Sequence, residues 1–235
     1  MNRLATPTCQ NCSSCRHNLL NCCTTADITA ISQAKTSQHY AAGQMIFAEG
    51  TRAAGLYCVH QGKIKITKSG GDGKEQIIRL GKAGDVLGYR ALVAGTPHTT
   101  SAVALSDCTV CLIPKPVLSV RMGNNQQFNS GLLHLLADAL STNAARMLHL
   151  AYKPVRERLA EALLLLQSTY RAEGDAQPFT IAISREDLGA LMGTTKETTT
   201  RMLSEFKHEG MVTTRGSAIT ILAPQQLVAI ATQFD

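Results

Sequence analysis

The sequence predicts an α+β protein: an antiparallel β-roll, one long helix, and a C-terminal helix–turn–helix with a β wing. Three observations carry this. Between about residues 40 and 115, short strand-like runs alternate with glycine turns. Residues 126–151 switch to an apolar period of three and four. The last 80 residues read helix, strand, helix, glycine, helix, hairpin.

Composition sets the bounds. At 235 residues and 44% apolar, the chain can bury one large core and a smaller one without cysteine staples. The start has no charged segment leading into an apolar run, so no signal peptide is expected. The longest mostly apolar run, "LAEALLLL" at 159–166, is far too short to span a membrane. The expected compartment is a reducing cytoplasm, with no membrane partner, where clustered cysteines bind metal more often than they pair. The net charge of +6 invites a nucleic-acid partner. However, residues 1–152 hold 14 Lys and Arg against 7 Asp and Glu, and the remainder 9 against 10. Bulk charge therefore does not mark the C-terminal part as a DNA reader; its pattern must.

Taken in order, "TCQNCSSCRHNLLNCC" at 8–23 holds five of the eight cysteines. "TTADITAIS" (24–32) reads as a short helix with Ile28 and Ile31 on one face. The runs "QMIFAEG", "GLYCVHQG", "KIKITKSG", "EQIIRLG", "TSAVALS" and "CTVCLIP" read as strands of the roll. On the helix at 126–151, Leu133, Leu136, Leu140, Ala144 and Met147 make one narrow apolar seam, suited to a two-helix homodimer contact. Pro154 marks a hinge after it. The expected divisions are a cysteine-rich segment at 1–24, the roll at 25–124, the dimerisation helix at 125–152 and the winged helix–turn–helix at 153–235.

The helix–turn–helix lies in "SREDLGALMGTTKETTTRMLSEFKHEGMVTTRGSAITIL". Ser184 is placed to cap a first helix, with Asp187 completing a box-like pattern, and Gly193 to end it in a left-handed turn. Thr195 caps a second helix whose inner face is Thr199, Met202, Leu203 and Phe206. That leaves Lys196, Glu197, Thr200 and Arg201 outward on the first turns, where a recognition helix meets base edges in the major groove. Arginine pairs bidentately with guanine, glutamate accepts from the cytosine amino group, and threonine meets phosphate or a thymine methyl. "TTRGSAITI" follows as a wing whose Arg215 is placed for phosphate. A generic helical pair with a solvated polar face is the bland alternative. The fixed order of elements favours double-stranded DNA.

With these motifs in view, the chain resembles the CRP/FNR superfamily of bacterial transcription regulators over nearly its whole length. "GQMIFAEG", "GLYCVHQGKIKI", "AGDVLG", "ERLAEAL", "ISREDLGALMGTTKETTTRML" and "EGMV" carry the likeness. The resemblance implies a cupin-like, cyclic-nucleotide-binding-like jelly roll as sensor. It also implies a homodimer on a palindromic promoter site, with RNA polymerase as partner. Cyclic-AMP binders carry a Gly-Glu and an Arg-Ser for ribose and phosphate; here those positions read Gly88-Tyr89 and Thr100-Ser101. Without the carboxylate and the arginine the nucleotide lacks its strong partners.

The FNR branch looks closer. Its members hold an oxygen-labile [4Fe–4S] cluster on N-terminal cysteines plus one β-roll cysteine just before an Ile-Pro, a context that Cys111 in "CTVCLIP" matches. Cys9 and Cys12 fall where the family's first two ligands sit. The third position is Asn18 here, and Cys15 stands three residues earlier. The spacing C-x2-C-x2-C itself suits three corners of such a cluster, with a distant cysteine closing the fourth. Cys9, Cys12, Cys15 and Cys111 are the assigned set, with Cys22 or Cys23 as alternates to Cys15. Cys58 reads as a strand-core residue, Cys108 as facing the opposite side from Cys111, and His17 and His60 as ordinary.

By this resemblance the cluster promotes dimerisation, oxygen or nitric oxide undoes it, and "KETTTR" reads a TTGAT-like half-site. Haem, a cyclic nucleotide, zinc or a thiol redox switch stay open as other effectors. No catalytic constellation emerges, so no enzyme is expected.

Overall fold

The computed structural model describes residues 8–16, 19–172, 174–175 and 177–233. Contacts divide the chain into two units, residues 1–68 with 81–141, and residues 69–80 with 142–235.

The first unit opens with a 3-10 turn at Cys9–Asn11, helix α1 (Ser13–Arg16) and a second 3-10 turn at Leu19–Cys22. Helix α2 (Thr25–Ala34) starts at a full capping box. The Thr24 hydroxyl accepts from the Asp27 amide, and the Asp27 carboxylate accepts from the Thr24 amide. Strands β1 (Thr36–Tyr40), β2 (Met45–Phe47), β3 (Gly55–Gln61) and β4 (Ile64–Ser69) follow. Strand β5 (Glu75–Gly81) falls almost wholly in the second unit. Strand β6 (Val86–Leu87), helix α3 (Tyr89–Ala94), β7 (Ser101–Ala104) and β8 (Cys108–Pro114) complete the roll.

One sheet runs β1-β8-β3-β6, and in the other β7 lies between β2 and β4; every ladder is antiparallel. Glycine at position 55 is required by a close approach, because a Cβ there would stand 1.9 Å from the Ile113 carbonyl oxygen.

Helix α4 (Lys115–Asn124) leads into α5 (Gln126–Tyr152), the long helix. The first part of α5 closes the core of the roll: Phe128 and Leu132 are buried in one cluster with Cys9, Cys12, Leu20, Ile31, Cys58 and Cys111. The segment before α2 is thus a packed layer of the core. It reaches the residue that leads into α5, since the Asn125 side-chain amide donates to the Cys22 carbonyl at 3.1 Å and its oxygen accepts from the Phe128 amide. A Cβ at Gly131 would lie 2.7 Å from Leu19, so glycine makes room for that leucine.

The second unit takes the remainder of α5, then α6 (Val155–Tyr170), β9 (Thr180–Ala182), α7 (Arg185–Met192) and α8 (Lys196–His208). Strands β10 (Val212–Arg215) and β11 (Ala218–Ile221) and helix α9 (Pro224–Ala231) end it. Pro154 caps α6 directly after α5 ends, where its missing N–H costs nothing. The buried Lys153 ammonium donates to Glu161 and to the Ala231 carbonyl, both at 2.8 Å, which fixes the chain at that junction. Helix α6 stops at Tyr170. Arg171 turns back there and donates to the Asp175 and Gln177 carbonyls. Strand β9 joins the wing as a third strand beside β11.

Candidate functional site

Two places on the chain gather chemistry: a set of buried thiols in the first unit and an outward helix face in the second. The thiols arise from two local structures. The 3-10 turn at Cys9–Asn11, closed by the Cys12 amide on the Cys9 carbonyl, brings Cys9 and Cys12 to one side. Strands β3 and β8 pair in a register that sets Cys58 opposite Cys111. Residues directly opposite in an antiparallel ladder share a face.

Cys9, Cys12, Cys58 and Cys111 are each no more than 6% exposed and line one cavity with Ser14, Leu20, Lys35, Val59, His60 and Ile113. The free space there is about 10 Å³, which is room for one water. The Cys9 amide donates to Ser32 at 3.1 Å, and the Ser14 hydroxyl to the His60 carbonyl at 3.0 Å, so the segment is stitched to α2 and β3. Cys12 Sγ lies 3.3 Å from His60 Nδ1, and Cys111 Sγ lies 3.1 Å from the Ser37 hydroxyl.

The buried Lys35 ammonium donates toward Cys111 Sγ at 3.7 Å. Burial and the neighbouring sulfurs of Cys111, Cys9 and Cys12 push the Cys58 thiol well above its ordinary value, with Lys35 opposing. Burial, and then Lys35, holds His60 below its ordinary value.

Of the cysteines assigned from sequence, Cys9, Cys12 and Cys111 come together. The Cys15 side chain lies outside the described residues. Cys22 and Cys23, the alternates, do not line the cavity; Cys22 is half-buried, and its thiol donates to the Leu19 carbonyl at 2.8 Å. Cys58 is buried in the strand core as expected, and it also lines this cavity, which was not expected from sequence. Its one signal in the sequence is the pairing register, which no local pattern reveals. Cys108 is buried away from the cavity, its thiol donating to the Lys63 and Ser106 carbonyls. Among the described residues, no group of three or more His, Cys, Asp or Glu stands close enough to hold a metal ion as it is. The donor chemistry suits a thiolate-bound metal or cluster.

The positions that would greet a cyclic nucleotide are otherwise employed. Tyr89 is buried, with its hydroxyl on the Leu135 carbonyl at 3.5 Å. Ser101 accepts from the Glu49 amide at 2.9 Å, and His98 stacks on Phe47 with ring centroids 4.1 Å apart.

In the second unit, Ser184 accepts from the Asp187 amide and caps α7, and Gly193 ends it at φ 66°. Thr195 accepts from the Thr198 amide and caps α8. Thr199, Met202, Leu203 and Phe206 are buried beneath. Thr195, Lys196, Glu197, Thr200 and Arg201 stand exposed on the opposite face, and Arg215 is exposed on the wing. Lys196 is engaged by Glu186, 2.5 Å away, and that pairing raises its pKa. Arg185 donates to the Gly216 carbonyl and holds the wing turn against α7. On α5, Leu133 (67%), Leu140 (72%) and Met147 (67%) are exposed, as is Ala144, whereas Leu136 is half-buried.

A β-roll enclosing thiols, followed by a capped helix–turn–helix with a wing, defines a DNA-binding regulator with a sensor domain. Residues 37–122 match the cyclic nucleotide-binding domain and residues 157–230 the Crp-like helix-turn-helix domain. The chain is 30% identical over 190 residues to the fumarate and nitrate reduction regulatory protein of Vibrio cholerae, covering 80% of this chain and 76% of that one. It is 29% identical over 215 residues to the regulatory protein HlyX of Actinobacillus pleuropneumoniae, covering 91% and 89%. Its fold is similar to that of FixK2 from Bradyrhizobium japonicum, with TM-score 0.73 and 29% identity over 83% of this chain and 96% of that one. The chain belongs to the CRP/FNR family of transcription regulators, in its FNR-like branch, and is not an enzyme. Among the described residues, no helix is long and apolar enough to cross a membrane.

Proposed function

We propose that this regulator responds to oxygen or redox state through a [4Fe–4S] cluster held by its N-terminal cysteines together with Cys111. The observation that carries the reading is the cavity itself, where Cys9 and Cys12 meet the β-roll cysteines beside the buried Lys35. A bound cluster supplies an oxygen-labile tie between the two.

The chain's own residues carry the consequence. The segment that bears Cys9 and Cys12 also seats Leu19 against Gly131 and Cys22 against Asn125, so its position bears on the start of α5. Leu133, Leu140, Ala144 and Met147 on the outer face of α5 form the dimer seam, with Leu136 at its edge. Two arrangements of the segment then bias a monomer–dimer equilibrium. In the dimer, the two α8 helices enter successive major grooves of a palindrome with TTGAT-like half-sites. Arg201, Glu197 and Thr200 meet base edges there, while Thr195, Arg215 and Lys196, once released from Glu186, meet phosphate. RNA polymerase is the partner at the promoter.

A cluster-free thiol switch is a second reading, favoured by the pairing of Cys58 with Cys111. Fluorescence anisotropy of the full chain on such a palindrome separates the two. Tight binding without air, lost on exposure and not restored by a thiol reductant alone, supports the cluster. Restoration by the reductant alone supports the switch, and identical binding in both atmospheres removes oxygen and redox responsiveness altogether.

A further inference from the structure

Four thiols, not three, surround the cavity, and the extra one is fixed more firmly than any on a loop. Cys58 sits in the interior of β3, and its partner in the ladder is Cys111. Strand pairing therefore aims both sulfurs to one side of the sheet. Cys108, three residues before Cys111, is sent to the other side by the same alternation, and its thiol is spent on two carbonyls. Opposite the strand pair stand Cys9 and Cys12, on one 3-10 turn. The arrangement is two pairs of sulfurs, one from the segment and one from the sheet, around one space.

We infer that Cys58 is a metal ligand, so that the set is Cys9, Cys12, Cys58 and Cys111. The inference rests on the reading that this site holds a cluster. A cubane takes one thiolate on each of its four irons, so Cys58 takes the corner that the C-x2-C-x2-C spacing gives to Cys15. Two of the four ligands are then preorganised by the β-ladder.

The site is assayed on the full chain in two ways. Iron and acid-labile sulfide are counted after purification without air. Separately, Co(II) alone is titrated into the reduced, metal-free protein, where thiolate ligation gives an intense sulfur-to-cobalt charge-transfer band. Cys58→Ala and Cys58→Val, the second filling the site with an apolar side chain about one methyl larger, are predicted to lose most of that band and most of the iron and sulfide. Cys15→Ala and Cys108→Ala keep both. Thermal unfolding of the metal-free variants separates ligation from packing, since Cys58→Val unfolds close to wild type. A full cobalt band in Cys58→Val, or its loss in Cys15→Ala alone, overturns the inference. A wild-type chain that binds Co(II) through Cys58 but carries no iron or sulfide defeats the cluster reading and leaves Cys58 a ligand.

Discussion

The ammonium of Lys35 lies 3.7 Å from Sγ of Cys111, and both groups are buried. A buried ammonium beside sulfur is well placed to answer the negative charge that thiolates carry when they bind metal. Lys35→Met is therefore predicted to lower the iron content of the chain after anaerobic purification, whatever its effect on the unfolding temperature of the metal-free chain. A fall in metal-free stability with normal iron content would mean that Lys35 serves packing alone.

On α8, Arg201 and Glu197 share the outer face, and Arg215 stands apart on the wing. Arg201→Ala is predicted to cost roughly 1–3 kcal/mol of specific binding and to relax preference at one base pair. Arg215→Ala weakens all sequences alike and lowers the salt slope by about 1. Anisotropy over a salt series with matched and substituted half-sites reads both effects.

Leu140 is 72% exposed on α5. Replacing it by glutamate removes little intrachain packing, so the metal-free, monomeric Leu140→Glu chain unfolds as the metal-free wild type does. In the dimer it would set two carboxylates on the seam. Sedimentation of the anaerobic protein is predicted to show monomer for the variant and dimer for wild type.

Burial holds His98 below its ordinary pKa, and its Nε2 has no partner among the described residues. The unfolded chain therefore takes up a proton at a pH where the folded ring stays neutral. This contribution to stability is complete above about pH 6.5 and is lost as the pH falls below it. His98→Phe, which keeps the stack on Phe47, is predicted to flatten the fall in unfolding temperature between about pH 7 and 5.

Much of this was legible in the sequence, for reasons that can be named. Thr199, Met202, Leu203 and Phe206 recur at helical spacing, and Gly193 sits where only a left-handed turn fits, so the helix–turn–helix followed from local pattern. The long helix was visible for the same reason. Strand β1, "TSQHY", was not, because most of its residues point outward and no apolar alternation marks it. Helix α4 was hidden behind Pro114 and Pro116, although a proline in a first turn is tolerated. Cys58 was read as strand core, and it is buried in β3; its place beside Cys111 depends on which residue lies opposite in a distant strand, a non-local fact that period-two alternation cannot supply.

Whether these thiols serve a cluster is tested most directly by counting iron and acid-labile sulfide on the full chain, purified without air. The prediction is about four of each per chain, on brown protein with a broad visible absorbance. Colourless protein carrying stoichiometric zinc would contradict it.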